Sequence, residues 1–132
     1  MRFSTKAEYG LRAIVHLDLA GKKPVSLALI AERENLSLSY LERLFSDLKK
    51  ANLVRADKGV KGGYYLNKPA SKINVLEIIT ALEGSVAPMA CVENKKCGCT
   101  CRIHPVWQKL YVQITKTLTA ISLDSLYKKV KK

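Results

Sequence analysis

The sequence predicts a mainly α-helical fold with one small β-hairpin: a winged helix-turn-helix domain followed by a long C-terminal helix. Three observations predict it. Two short amphipathic segments lie either side of a polar break at Asn35-Leu36-Ser37. Two β-prone runs follow at once, around the glycine- and lysine-rich stretch KGVKGG at 58–63. Near the C-terminus, Trp107, Leu110, Tyr111, Ile114, Leu118 and Ile121 recur at helical spacing.

The elements follow in order. Residues 5–20 read as a helix, with Leu11, Ile14, Val15 and Leu19 near helical period and Gly21 as its stop. After the break at KKP, 22–24, Ser26 can cap a short helix carrying Leu27, Ile30 and Ala31. The second helix of the pair places Leu41, Leu44, Leu48 and Ala51 on one face and Arg43, Asp47 and Lys50 on others. Two short helices joined by a brief polar turn make a helix-turn-helix. Residues 53–57 and 64–67 read as strands of a hairpin whose glycines permit a tight tip and whose lysines charge it. Asn74 caps a helix through Glu83, with Val75, Ile78, Ile79 and Leu82 on its apolar side and Gly84 closing it. Residues 85–104 show no period and read as a long loop, a feature that is usually functional in a compact domain. A final long helix begins near Pro105, a good first-turn residue. Its apolar stripe finds no later segment to cover all of it, so a second subunit is the expected partner, against packing on the chain's own first helix. The expected organisation is therefore 1–84 as the DNA-binding domain, 85–104 as a metal-binding loop and 105–132 as a dimerisation helix with a basic tail.

Charge narrows the function. Across 132 residues, 23 Lys and Arg stand against 11 Asp and Glu, a net of +12. That balance in a small chain points to a polyanionic partner, with double-stranded DNA the expected one. No apolar run approaches the roughly 18–20 residues of a membrane span, and MRFSTKAEYG lacks the apolar stretch of a secretory signal. The expectation is a cytoplasmic protein with no membrane partner. Against an enzyme stand the lack of a phosphate-binding glycine loop between strand and helix, of a nucleophile–base pair and of paired carboxylates. A cluster carrier or redox enzyme remains the rival from another class, but a carrier would have no use for a complete winged helix.

Two constellations carry chemistry. The N-terminal end of a recognition helix faces base edges in the major groove. Ser39, Tyr40, Glu42 and Arg43 occupy that end. Arg43 can donate to guanine, Glu42 can accept from cytosine, and Ser39 and Tyr40 can reach phosphate or base. Ser39-x-x-Glu42 also spells a capping box, in which Glu42 only returns to the Ser39 backbone. Lys58 and Lys61 on the hairpin tip can reach phosphate or the minor groove. The second constellation is Cys91-x5-Cys97-x-Cys99-x-Cys101-x2-His104. Disulfides are disfavoured in the cytosol, so a metal or redox site is the better reading. Thiolates with one imidazole suit zinc or an iron–sulfur cluster, and paired C-x2-C knuckles typical of structural zinc are lacking. His16 stands alone in mid-helix and reads as structural.

MRFSTKAEYGLRA, SLSYLERLFSDLKKANLV, the KGVKGGYYL wing and the Cys101-Arg-Ile-His104 ending together resemble the IscR-type iron–sulfur cluster regulators, over about residues 1–125. The resemblance implies a bacterial, homodimeric winged-helix transcription factor. It further implies a 2Fe-2S cluster held by Cys91, Cys97, Cys101 and His104, with Glu42 as gatekeeper of site choice, acting on operators of cluster-assembly genes. Departures are visible. Cys99 is an extra thiol that can replace Cys97 or Cys101 or resolve an oxidised state, and Lys58 stands where the family's wing carries Arg. Glu8 falls where some relatives of this fold use a first-helix carboxylate as a cluster ligand of the other subunit; a plain surface glutamate is the favoured reading. A nitric-oxide sensor and a thiol-redox or zinc regulator of the same fold are the alternatives.

Overall fold

A computed structural model of the chain describes residues 3–57, 59, 62–93 and 102–130, the last four for backbone only. The order is α1 (Thr5–Ala20), α2 (Leu27–Glu34), α3 (Leu38–Lys50), β1 (Val54–Asp57), β2 (Gly63–Leu66), a 3-10 turn (Ala70–Lys72), α4 (Val75–Glu83), α5 (Ala90–Glu93), α6 (His104–Thr119) and α7 (Leu123–Val130).

Local chemistry sets most of these bounds. Ser4, Ser26 and Asn74 cap α1, α2 and α4, each accepting a hydrogen bond from the first turn of its helix. Gly21 ends α1 at φ +66°, and Asn35 ends α2 in the left-handed region. β1 and β2 pair antiparallel with Val54 opposite Leu66 and Asp57 opposite Gly63. A third extended piece joins them: Val25 and Tyr64 exchange both backbone hydrogen bonds at 2.8 Å. A Cβ on Gly63 would lie 2.7 Å from the Val25 carbonyl carbon, so only glycine admits this approach. β2 therefore begins at Gly63, one residue before the expected strand.

One core joins α1, α2, α3, the hairpin and α4 through Ile14, Leu17, Ile30, Leu41, Leu44, Phe45, Leu48 and Ile78. Leu41, Leu44, Phe45 and Leu48 are almost wholly buried, each worth roughly 1.5–3 kcal/mol of transfer free energy. They fix which face of α3 turns inward, and so which face is left outside.

The C-terminal region departs from expectation twice. A helical turn, α5, lies within the stretch read as loop, and it packs against α6. The final helix is two helices. Backbone bonds from Val75 N–H to the Ile121 carbonyl and from Leu123 N–H to the Ile73 carbonyl, both 2.8 Å, break the chain between α6 and α7. They carry Leu123 into the main core, where it is fully buried. In the apolar stripe, Tyr111, Ile114, Leu118 and Ile121 lie half-buried against Ala7 of α1, Val75 and Ile79 of α4, and Val86. The chain's own helices thus cover part of that stripe. No residue of α6 is fully buried, and Val106, Leu110 and Val112 remain exposed.

Candidate DNA interface and candidate metal centre

The recognition helix is capped by Ser37, whose Oγ accepts from Tyr40 N–H at 3.2 Å. The capping box expected from Ser39 and Glu42 is therefore not formed: Ser39 is the second residue inside the helix. Leu36 N–H bonds to the Ala31 carbonyl at 2.9 Å, which closes the turn one residue before Ser37 and leaves Ser37 extended, as a cap requires. Ser39, Glu42 and Arg43 are exposed, and Glu42 has neither hydrogen bond nor ion pair among the described residues. Tyr40 is half-buried and does structural duty. Its ring meets Tyr9 edge-on at 6.3 Å, and its hydroxyl lies 3.4 Å from Thr5 Oγ1. α3 is thereby braced on α1.

That brace brings in a residue the sequence reading missed. Lys6 of α1 joins Tyr40, Arg43, Ser46, Asp47 and Lys50 around a cleft of about 340 Å³ beside the recognition helix. Three cations and one carboxylate in an open cleft suit a phosphate oxygen rather than an apolar ligand. Nothing in the spacing of α1 pairs Lys6 with Arg43, because the packing of α1 against α3 creates the pair. Lys58 and Lys61 lie outside the described residues. At the root of their hairpin tip, Asp57 Oδ1 accepts from Gly59 N–H at 3.0 Å.

Among the candidate metal ligands, Cys91 and His104 are described, and Cys97, Cys99 and Cys101 lie outside the described residues. Cys91 is a half-buried free thiol in α5, and His104 is the first residue of α6. The contact of α5 with α6 holds the two helices together across the intervening cysteines. His104 Nδ1 is shut off from solvent and meets no hydrogen-bond partner among the described residues. A buried polar nitrogen is costly to leave unmet, so an imidazole in this state is one prepared for a ligand. Free thiol and unmet imidazole are the donors an iron–sulfur or zinc site takes, and the residues fit such a group. No group of three or more His, Cys, Asp or Glu forms a metal site among the described residues. Glu8 pairs with Arg12 one turn on at 3.0 Å, both exposed. His16 Nε2 lies 3.4 Å from Glu34 Oε2, a half-buried contact tying α1 to α2.

A helix-turn-helix with its recognition helix exposed, a β-hairpin wing and a strongly basic surface define a winged-helix DNA-binding regulator. The chain belongs to the Rrf2 family, described as "Iron-dependent Transcriptional regulator", which matches residues 3–129. The HTH-type transcriptional regulator IscR of Photorhabdus laumondii is 43% identical over 129 residues, covering 96% of this chain and 79% of its own. The solved structure of T. potens IscR superposes with a TM-score of 0.80 at 35% identity, covering 98% of this chain and 88% of that one. CymR, the global cysteine regulator of B. subtilis, superposes with a TM-score of 0.79 at 33% identity, covering 96% and 95%. The expected resemblance to IscR-type regulators and the expected winged-helix fold are borne out. No helix among the described residues is long and apolar enough to cross a membrane.

Proposed function

We propose that this chain is a homodimeric, cytoplasmic transcription regulator whose choice of DNA site is set by a 2Fe-2S cluster held by Cys91, Cys97, Cys101 and His104. The observation that carries the reading is the buried, unmet Nδ1 of His104 at the start of α6, next to the helix that bears Cys91. The bound group supplies an iron- and redox-responsive tie between loop and helix. The chain's own residues do the rest. His104 opens α6, and α6 packs on α4, which in turn packs on both α1 and α3. α1 also braces α3 through Tyr9 and Tyr40. A shift at the start of α6 therefore has a packed route to the reading face. Occupancy changes DNA preference only as far as the two states differ in affinity for DNA.

At the DNA, Ser39, Glu42 and Arg43 face the major groove, with Glu42 rejecting or selecting bases. Lys6, Arg43, Lys50 and the wing lysines Lys58 and Lys61 take phosphate. A second copy covers the exposed apolar residues of α6, because a two-fold operator is read by two heads at fixed separation. The resemblance makes operators of cluster-assembly genes the target.

A thiol-redox regulator of the same fold is the second reading, favoured by the likeness to CymR and by a fourth cysteine, Cys99. Iron and acid-labile sulfide content after anaerobic reconstitution separates the two. The cluster reading expects iron and sulfide in the unmutated protein, loss in Cys91→Ser and His104→Ala, and retention in Cys99→Ser. Iron-free protein whose DNA affinity follows thiol oxidation would establish the second reading instead.

A further inference from the structure

The chain has one tryptophan, Trp107. It lies in α6 three residues after His104, so the two side chains share a helix face. Trp107 Nε1, like His104 Nδ1, is shut off from solvent and meets no hydrogen-bond partner among the described residues. Among the described residues, Tyr111, Ile114 and Leu118 further along α6 pack on the apolar cluster of α1 and α4, whereas Trp107 joins neither apolar cluster. The element packed against α6 ahead of the cysteine-rich segment is α5, which carries Cys91.

An indole N–H is a donor only, so Trp107 cannot ligate a metal. Buried indoles nearly always find an acceptor. The element packed on α6 there carries the Cys91 sulfur, which becomes an acceptor when it ligates a metal. We infer that the Trp107 Nε1–H donates a hydrogen bond to a sulfur acceptor of the site built on Cys91 and His104, a ligand thiolate or a bridging sulfide. The inference rests on the cluster reading and deepens it. Trp107 is a positioning and tuning residue: it touches sulfur, and iron is left to the ligands. Hydrogen bonds to cluster sulfurs help set reduction potential. A donor stabilises the more negative, reduced form more than the oxidised one, so Trp107 holds the potential up.

The test is Trp107→Phe, which keeps a ring and removes the N–H. Unmutated and variant proteins are reconstituted anaerobically with iron and sulfide, and the visible absorbance is followed through a redox titration. The variant's reduction equilibrium should fall about tenfold, which is about 59 mV for a one-electron couple. Sign separates this from a packing effect, because water entering the space left by the indole would favour the charged, reduced form and raise the potential. A fully loaded variant whose potential is unmoved or raised overturns the inference and leaves the cluster reading standing. Unmutated protein that takes up neither iron nor sulfide overturns both. Should the variant fail to load, ultraviolet resonance Raman of the unmutated protein decides, since its single indole gives one N–H marker. That marker should move to its hydrogen-bonded position on loading, and an unshifted band overturns the inference.

Discussion

Replacing Ser37 with alanine separates what holds the recognition helix from what reads DNA. The substitution removes the acceptor that meets Tyr40 N–H at 3.2 Å and nothing else, since Ser37 is exposed and makes no other side-chain hydrogen bond among the described residues. Loss of a serine cap costs about 0.5–2 kcal/mol. The freed N–H lies at an exposed helix start and turns to water, which places the cost near 1 kcal/mol rather than at the top of that range. For a chain of this length that lowers Tm by roughly 3–5 °C. Fraying also loosens the first turn, which carries Ser39 and Tyr40, so operator affinity should fall with stability. Ser39→Ala and Glu42→Ala should change stability by less than about 0.5 kcal/mol, because neither side chain has a partner among the described residues. Their effect should fall on site preference. Urea denaturation of the three variants, in one state of loading, is the assay. If Ser39→Ala or Glu42→Ala destabilises as much as Ser37→Ala, the assignment of the cap to Ser37 and of Glu42 to the DNA is wrong.

Three further outcomes follow from the same geometry. Gly63→Ala forces a Cβ against the Val25 backbone and should cost about 1–3 kcal/mol by denaturation, with the hairpin the first region to lose hydrogen-exchange protection. Leu110→Lys alters an exposed apolar position of α6 and should convert dimer to folded monomer in sedimentation; an unchanged dimer would remove α6 from the interface. Lys6→Ala should weaken binding to all duplexes alike and reduce the salt slope by about 1, whereas Arg43→Ala should in addition lose discrimination between operators if it reaches a base.

Legibility in the sequence followed the range of the interactions. The first, second and fourth helices and their stops were readable because Ser26, Asn74, Gly21 and Gly84 act within a few residues of themselves. The sequence offered Ser39 as a possible cap of α3 through the Ser39–Glu42 box, whereas Ser37, which has the same side chain, is the cap. The choice between them is made by the Leu36 to Ala31 bond, which depends on how α2 ends. α5 has four residues, too few to show a period. The break between α6 and α7 has no glycine or proline behind it, and bonds to residues 73 and 75, far back in the chain, impose it. The same holds for the sites. The Cys and His ligand candidates sit within fourteen positions and announce themselves. Lys6 beside Arg43, and Glu34 beside His16, meet only when helices pack.

The central claim is that loading of the Cys91–His104 site changes which DNA the recognition helices accept. Its most direct test is one titration set: loaded and cluster-free protein, each with Glu42 and with Glu42→Ala, against two classes of operator at fixed salt and anaerobically. The account predicts that cluster loss changes the ratio of the two affinities in the unmutated protein. It also predicts that Glu42→Ala lets the cluster-free protein bind the class it otherwise refuses, with little change in stability. An affinity ratio that is the same for loaded and cluster-free protein would contradict the account, however tightly either binds.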